Sequence, residues 1–372
     1  MTINYKNLAK KSKKRGDILL LVAVVLLSII GVIFIYSASN FSAQKTYGDS
    51  FFFVKKQIIG IVIGIIVMIV MGNFDYEKLK VFNVPVAIIT VVSLLLVFVP
   101  GIGVENYGAK RWIGLGAFTF QPSEIAKFSL ILFFSTYVSK NPSRVKSFKG
   151  IIPLLGYGIL LCLLIITEPN MSITVCVACL MFVLLFSSGV RIKNMLFLII
   201  PALLCGVMLI VVAPYRLNRL MAFLDPWASP KGEGYQLLQS LYALGSGGLF
   251  GVGLFNSRQK YAFLPFAESD FIVSVIGEEI GFIGLSLFFL LLFFIIFRGL
   301  RIASKCKNVF AFMLGVGITM IFGIQVIVNV LVVTGSIPPT GLPLPLVSSG
   351  NTSIIIFMAE MGILYNISKS HH

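Results

Sequence analysis

The chain has 372 residues, 58% of them hydrophobic and only 12% charged, with a mean hydropathy of +0.98. That balance lies far outside soluble domains and points to an all-α polytopic membrane protein. The formal net charge is +16, yet the cations sit in alternate short connections between apolar runs, a pattern that speaks for lipid headgroups and against nucleic acid.

Apolar runs of about 17 to 25 residues mark bilayer-spanning helices. The chain offers ten: Ile18 to Ala38, Val54 to Met71, Val81 to Val99, Pro122 to Val138, Ile151 to Thr167, Met171 to Ser187, Met195 to Ala213, Phe271 to Phe297, Val309 to Thr334 and Thr352 to Ile367. The first follows a basic stretch, but its length and the nine runs behind it predict a retained helix rather than a cleaved leader. Basic residues concentrate at Lys6 to Arg15, Lys78 and Lys80, Lys140 to Lys149, Arg191 and Lys193, and Arg298 to Lys307. The intervening connections are poorer, with none at Glu168 to Asn170 or Gly335 to Gly350. The positive-inside rule then predicts both termini in the cytoplasm and an external segment from Pro214 to Asp270, between the seventh and eighth spans. Residues 1–372 read as one membrane domain.

Histidine occurs only at 371 and 372, which removes Ser-His-Asp, Cys-His and His-ligated zinc chemistry. Cys162, Cys176, Cys179 and Cys205 fall inside spans and Cys306 on the cytoplasmic side, so no external disulfide framework is expected. Cys176 and Cys179 read as packing residues. Catalysis is left to carboxylates, Lys or Arg, backbone groups or an added cation.

The external segment opens with Arg216 and Arg219 on one helical face and Leu217, Leu220, Phe223 and Leu224 on another, the pattern of a short interfacial helix. Asp225-Pro226 ends it, and Trp227 suits headgroup level. The run Gly245 to Gly253 follows no strand of a βαβ unit, so a nucleotide loop is a poor reading. Its glycines serve either close backbone packing or direct approach to a ligand. Charges inside spans are costly, about 2.5 to 3.5 kcal/mol at the bilayer centre. Glu124 and Lys127 are i, i+3 neighbours that either neutralise one another or meet a headgroup; Glu278 and Glu279 lie two turns into the eighth span, and Glu360 has no evident partner. The connection Ile337 to Gly350, rich in proline and ending in Ser348-Ser349-Gly350, must be held by packing or fold back toward the membrane.

In order along the chain, KRWIGLGAFTFQPSEIAKF (110–128), RLNRLMAFLDPW (216–227), GYQLLQSLYALGSGGLFGVG (234–253), SRQKY (257–261), LPFAESDFIVSVIGEEIGFIG (264–284) and PPTGLPLPLVSSGNTS (338–353) resemble the SEDS family of bacterial cell-shape, division and sporulation proteins. SRQKY leans toward the FtsW/SpoVE branch. The chain departs from the family pattern at Asn170 and Ser172, at Phe266, at Asn351 and at Glu360.

The resemblance implies a peptidoglycan glycosyltransferase in the bacterial cytoplasmic membrane that polymerises lipid II, working with a class B penicillin-binding protein and with division or sporulation machinery. Lipid II and the lipid-linked glycan are then its substrates. The donor already carries a pyrophosphate leaving group, so one carboxylate suffices as base toward the acceptor 4-hydroxyl, with inversion. Asp270, at the external mouth of the eighth span, is the candidate. Lys110, Arg111, Arg216, Arg219, Arg258 and Lys260, or a divalent cation, are candidates to face the pyrophosphate. Glu124, Lys127, Ser348 and Ser349 complete the candidate substrate contacts. A lipid II flippase using Glu124, Lys127 and Glu278/Glu279, and a non-catalytic scaffold for a penicillin-binding protein, are the alternative readings.

Overall fold

The computed structural model describes residues 16–106, 109–115, 118–212, 214–261 and 263–371. The basic stretch Lys6 to Arg15 lies outside them, as does Ala213. Helices form at all ten predicted places: α1 (Ile18–Tyr47), α2 (Phe52–Asn73), α3 (Asn83–Leu96), α4 (Pro122–Lys140), α5 (Phe148–Thr167), α6 (Met171–Ser187), α7 (Ile192–Val211), and, after two shorter helices α8 (Pro214–Leu224) and α9 (Tyr235–Gly247), α10 (Ile272–Ser304), α11 (Val309–Val333) and α12 (Asn351–Ser368). By length and apolarity alone α1, α2, α5, α10 and α11 can each cross a membrane; α3 and α6 are apolar but shorter, and α7 is apolar over Ile192–Met208. The chain is a multi-pass membrane protein.

Both ends of the described chain meet at one end of the bundle. The Asp17 amide donates to Ser368 Oγ at 2.8 Å, Asp17 also pairs with Arg298 at 2.6 Å, and Lys369 Nζ donates to the Gly72 carbonyl at 2.7 Å. An even number of traverses requires this closure. Helices α2 and α12 approach closely because glycines face the partner helix: a Cβ at Gly362 would overlap the Met68 backbone, and one at Gly64 the Met358 side chain.

The connection before α4 carries a three-stranded antiparallel sheet, a small addition to the all-α bundle: β1 (Gly103–Asn106), β2 (Ala109–Leu115) and β3 (Phe118–Phe120), in that order. Alternation along β2 explains two of its residues. Ala109 and Ile113 are buried, and Arg111, of the same parity, points inward with them, whereas Lys110 is exposed.

The segment between α8 and α10 is re-entrant. Helix α10 breaks at Gly281 (φ 67°, ψ −172°), a conformation open essentially to glycine alone. The break strands the carbonyls of Glu278 and Glu279 and the amides of Phe282 and Ile283, which an unbroken helix would pair with each other. The glycine-rich loop takes up all four. Val252 and Gly253 amides donate to the Glu278 and Glu279 carbonyls at 2.9 and 3.1 Å; Phe282 and Ile283 amides donate to the Gly248 and Leu249 carbonyls at 2.9 and 3.1 Å. Such a stitch satisfies backbone groups where no water can. It also resolves the reading of these glycines in favour of close packing, since a Cβ at Gly251 or Gly281 would run into the facing backbone.

The proline-rich connection folds inward as well. Leu346 and Val347 are buried, and Gly31 in the middle of α1 leaves room for them: a Cβ there would lie 2.9 Å from Val347 Cα. Helix α12 therefore starts deep, with Asn351 against Gly60 of α2.

Candidate functional site around Asp270

Asp270 closes the turn before α10 and is partly buried. The backbone of Glu268–Asp270 is held at all three of its carbonyls. Asn329 of α11 donates through Nδ2 to the Asp270 carbonyl at 2.9 Å and to the Leu342 carbonyl at 2.8 Å. Ser348 Oγ donates to the Ser269 carbonyl at 2.5 Å while accepting from the Leu344 amide at 2.9 Å. The Ser349 amide donates to the Glu268 carbonyl at 3.0 Å. The loop thus clamps Glu268–Asp270, and its other wall is tied down by Ser172, whose hydroxyl donates to the Thr340 carbonyl. Ser348, expected at the substrate, is 3% exposed and spends its hydroxyl on this clamp. Asn329 went unnoticed in the sequence, although amides in the apolar run of α11, Gln325 and Asn329, are a signal of their own.

Burial pushes the Asp270 carboxyl up to about 6; the Glu268 charge adds to the rise and the Arg219 guanidinium opposes it. Burial also raises the Glu268 carboxyl. A carboxylate poised near neutrality is suited to take and release a proton. Arg219 lies on α8, the predicted amphipathic helix, ended as expected by Asp225, whose side chain accepts from the Trp227 and Ala228 amides. Arg219 is 3.8 Å from Glu233, and a cavity of about 30 Å³ runs between Arg219, Glu233, Gln236 and Pro339. Gly341, two residues beyond Pro339, sits against Asp270, with room for a Cβ 3.6 Å from Oδ2. Asp270 and Arg219 thus both border the tip of the proline-rich loop, Asp270 at Gly341 and Arg219 at the Pro339 cavity, and Arg216 stands one turn before Arg219 on the same helix.

Lys260 is a correction. Counted among the external cations, it is 3% exposed, its Nζ donating to the Phe255 carbonyl at 2.5 Å and lying 3.4 Å from Ser37 Oγ and 3.6 Å from Glu279 Oε1. The re-entrant loop carries it down beside the second turn of α10, where only a paired ammonium can stay charged. The two glutamates there serve the same loop. Glu278 accepts from Ser257 Oγ (2.5 Å) and from the Arg258 and Gln259 amides (2.9 and 3.4 Å), and Glu279 accepts from Ser37 and from the Ser257 amide. The SRQK turn is thus folded around two carboxylates that a lipid path would have needed. It leaves the Arg258 side chain exposed.

Glu124 and Lys127 pair at 2.8 Å, both 2% exposed, with Lys127 Nζ 5.2 Å from the Phe357 ring centroid. Glu360, which had no evident partner, lies in Coulombic reach of both. The pair is interior to the bundle, so mutual neutralisation is the reading the structure supports for it. Arg111 donates to the carbonyls of Glu168 (3.2 Å) and Pro169 (2.5 Å), pinning the sheet to the α5–α6 turn. Glu168 beneath it is fully buried, and burial pushes its carboxyl up to about 8 despite Arg111. Lys110 stays on the open face of the sheet. Among the described residues no group of three or more His, Cys, Asp or Glu side chains could hold a metal ion.

The FtsW/RodA/SpoVE cell cycle protein model matches residues 17–372. The chain belongs to this family. It is 39% identical to stage V sporulation protein E of Bacillus subtilis over 358 residues, covering 96% of this chain and 98% of that protein. It is 38% identical to a probable peptidoglycan glycosyltransferase FtsW of Trichlorobacter lovleyi over 353 residues, covering 95% and 93%. Among solved structures, a chain of a peptidoglycan synthase complex that coordinates polymerization and crosslinking has the same fold, with a TM-score of 0.78 at 24% identity, covering 96% and 98%. The rod shape determining protein RodA of Thermus thermophilus follows at 0.70 and 22%, with the same coverage. Membership in the FtsW/SpoVE branch accords with those two relatives.

Proposed function

We propose that this chain is the polymerising glycosyltransferase of a peptidoglycan synthase, acting on lipid II at the outer face of the cytoplasmic membrane, with both termini in the cytoplasm. The observation that carries the reading is the single clamped carboxylate, Asp270, poised near neutrality beside an arginine and a cavity. The relatives named as glycosyltransferases support it, as does the chain's similarity to one from a polymerizing and crosslinking complex.

In this reading Asp270 takes the proton of the acceptor 4-hydroxyl as that oxygen attacks the anomeric carbon of the donor. The polyprenyl pyrophosphate departs from the opposite face, and the anomeric centre inverts. Arg219 and Arg216, one helical turn apart, face the charge that develops on the pyrophosphate; guanidinium forks match phosphate oxygens in pairs. Clamping the Asp270 backbone from α11 and the proline-rich loop keeps the base from drifting, which matters because misplacement by about 1 Å can cost on the order of 10²-fold in rate. The flippase reading has less to work with: Glu124, Lys127, Glu278 and Glu279 are engaged with one another or with the backbone. The crosslinking partner is a class B penicillin-binding protein, and the wider setting is division or sporulation.

The test is polymerisation of lipid II by the purified protein with its penicillin-binding partner. Asp270→Asn should lower the rate by about 10²-fold or more, Asp270→Glu should recover part of it, and Glu268→Gln should do much less. Strands of parental yield from Asp270→Asn would remove Asp270 as the base.

A further inference from the structure

Beyond the small cavity at Arg219, on the far side of Glu233 and Gln236, the surface opens into a groove of about 480 Å³ lined by Lys231, Glu233, Tyr235, Gln236, Pro265 and Phe266. We propose that this groove is a subsite for the glycan strand itself, holding sugar units that have already passed the Asp270 site; the proposal rests on the polymerase reading above.

Four observations carry it. The groove and the cavity share Glu233 and Gln236 as a common wall, so the concavity at Arg219 leads into the groove. The volume falls within the range of about 300–1,000 Å³ usual for small-molecule sites. The lining holds amide, phenol, ammonium and carboxylate groups and two aromatic rings, with Pro265 its one purely aliphatic side chain, which suits an uncharged, hydroxyl- and amide-bearing sugar better than a polyprenyl tail. Finally, Phe266 stands in the left-handed region at φ 55° and is 41% exposed. A bulky residue pays for that conformation, and such strain gathers at ligand clamps. The neighbouring wall is fixed, since Gln236 Nε2 donates to the Pro265 carbonyl at 3.1 Å and so holds the turn that presents the ring.

The chemistry is that of carbohydrate recognition: an aromatic ring meets the apolar face of a hexosamine while Lys231, Glu233 and Gln236 meet its hydroxyl and acetamido groups. A polymerase that retains its product between additions makes long strands, so the groove should set strand length.

Phe266→Gly is the informative variant. Glycine takes φ 55° freely, so the change relieves strain while deleting the ring; Phe266→Tyr keeps the ring. The first measurement titrates the purified protein with a soluble tetrasaccharide of β-1,4-linked N-acetylated hexosamines, free of lipid and phosphate, followed by saturation-transfer NMR. Binding to the parental protein, weakened about fivefold or more by Phe266→Gly and restored by Phe266→Tyr, is expected. The second measures the strand-length distribution made by the complex at equal lipid II consumption, which should shift to shorter strands in Phe266→Gly alone. Absence of tetrasaccharide binding by the parental protein, or equal binding by Phe266→Gly, overturns the proposal. Loss of co-purification with the penicillin-binding partner, with tetrasaccharide binding intact, also overturns it and makes the groove a protein interface. Should the parental complex make no polymer yet bind the tetrasaccharide through Phe266, the groove stands and the polymerase reading falls.

Discussion

Helix α7 and the first two turns of α10 are both apolar, and the fold uses them in opposite ways. None of the α7 side chains described is buried, and the helix meets the bundle at its ends and at an edge contact between Phe197 and Phe148. Every residue from Ile272 to Glu279 is buried, against the re-entrant loop, α9, α1 and α11. Hydrocarbon outside one helix and protein on all sides of the other select the same residues by hydropathy. The difference lies in small and polar positions: α10 contains Ser274, Gly277, Glu278, Glu279 and Gly281, each with a partner in the loop or a backbone passing close by, and α7 has no such set.

Breaking the stitch at Gly281 should have the largest effect. Gly281→Ala puts a Cβ into the Leu249–Gly251 backbone and an alanine into a region reserved for glycine, which costs about 1–3 kcal/mol for the conformation alone, before the overlap. Loss of monodisperse protein after detergent extraction is expected; a stable, active variant would show that the loop does not need to dock. The charge network comes next. Lys260→Met leaves Glu279 buried without its cation and should cost about 3–5 kcal/mol, seen as a lower midpoint of thermal unfolding. Adding Glu279→Gln should return most of it, and failure to do so would mean that Lys260 acts through packing.

At the site itself the expected effect is a shift of pH profile rather than a collapse. A base raised to about 6 is protonated below that pH and idle, so the rate should climb as pH rises through about 6 and level off above. Arg219→Ala removes the charge that holds the carboxyl down and should move the rise to higher pH; Glu268→Gln removes a like charge and should move it to lower pH. Polymerisation at saturating lipid II between about pH 5 and 8, a range that brackets the midpoint, reads both shifts. Shifts of the opposite sign would dissociate these residues from Asp270. The smallest effect belongs to α7, where Leu203→Ala, at a 65% exposed position, should stay within about 0.5 kcal/mol; a larger loss would show that α7 packs against the bundle.

Composition and run lengths were enough to place ten helices, because a bilayer demands about 20 apolar residues wherever a chain crosses it, and that demand is written locally. The interfacial helix α8 and its Asp225 stop were equally local, being a matter of i, i+3 spacing and a cap. Asp270 could be picked out as the acid at a span's mouth for the same reason. The sheet over residues 103–120 was not legible, since its strands are short and interrupted by glycine and charge. Nor could hydropathy show that the segment carrying Lys260 dives to meet Glu279, that Ser348 of the proline-rich loop and Asn329 of α11 converge on the Asp270 turn, or that Glu360 comes within Coulombic reach of Lys127. Each of those is a contact between residues far apart in the chain, made only when the helices pack. Burial and pairing of charge depend on that packing, and so the same lysine reads as a surface cation in the sequence and as an interior counter-ion in the fold.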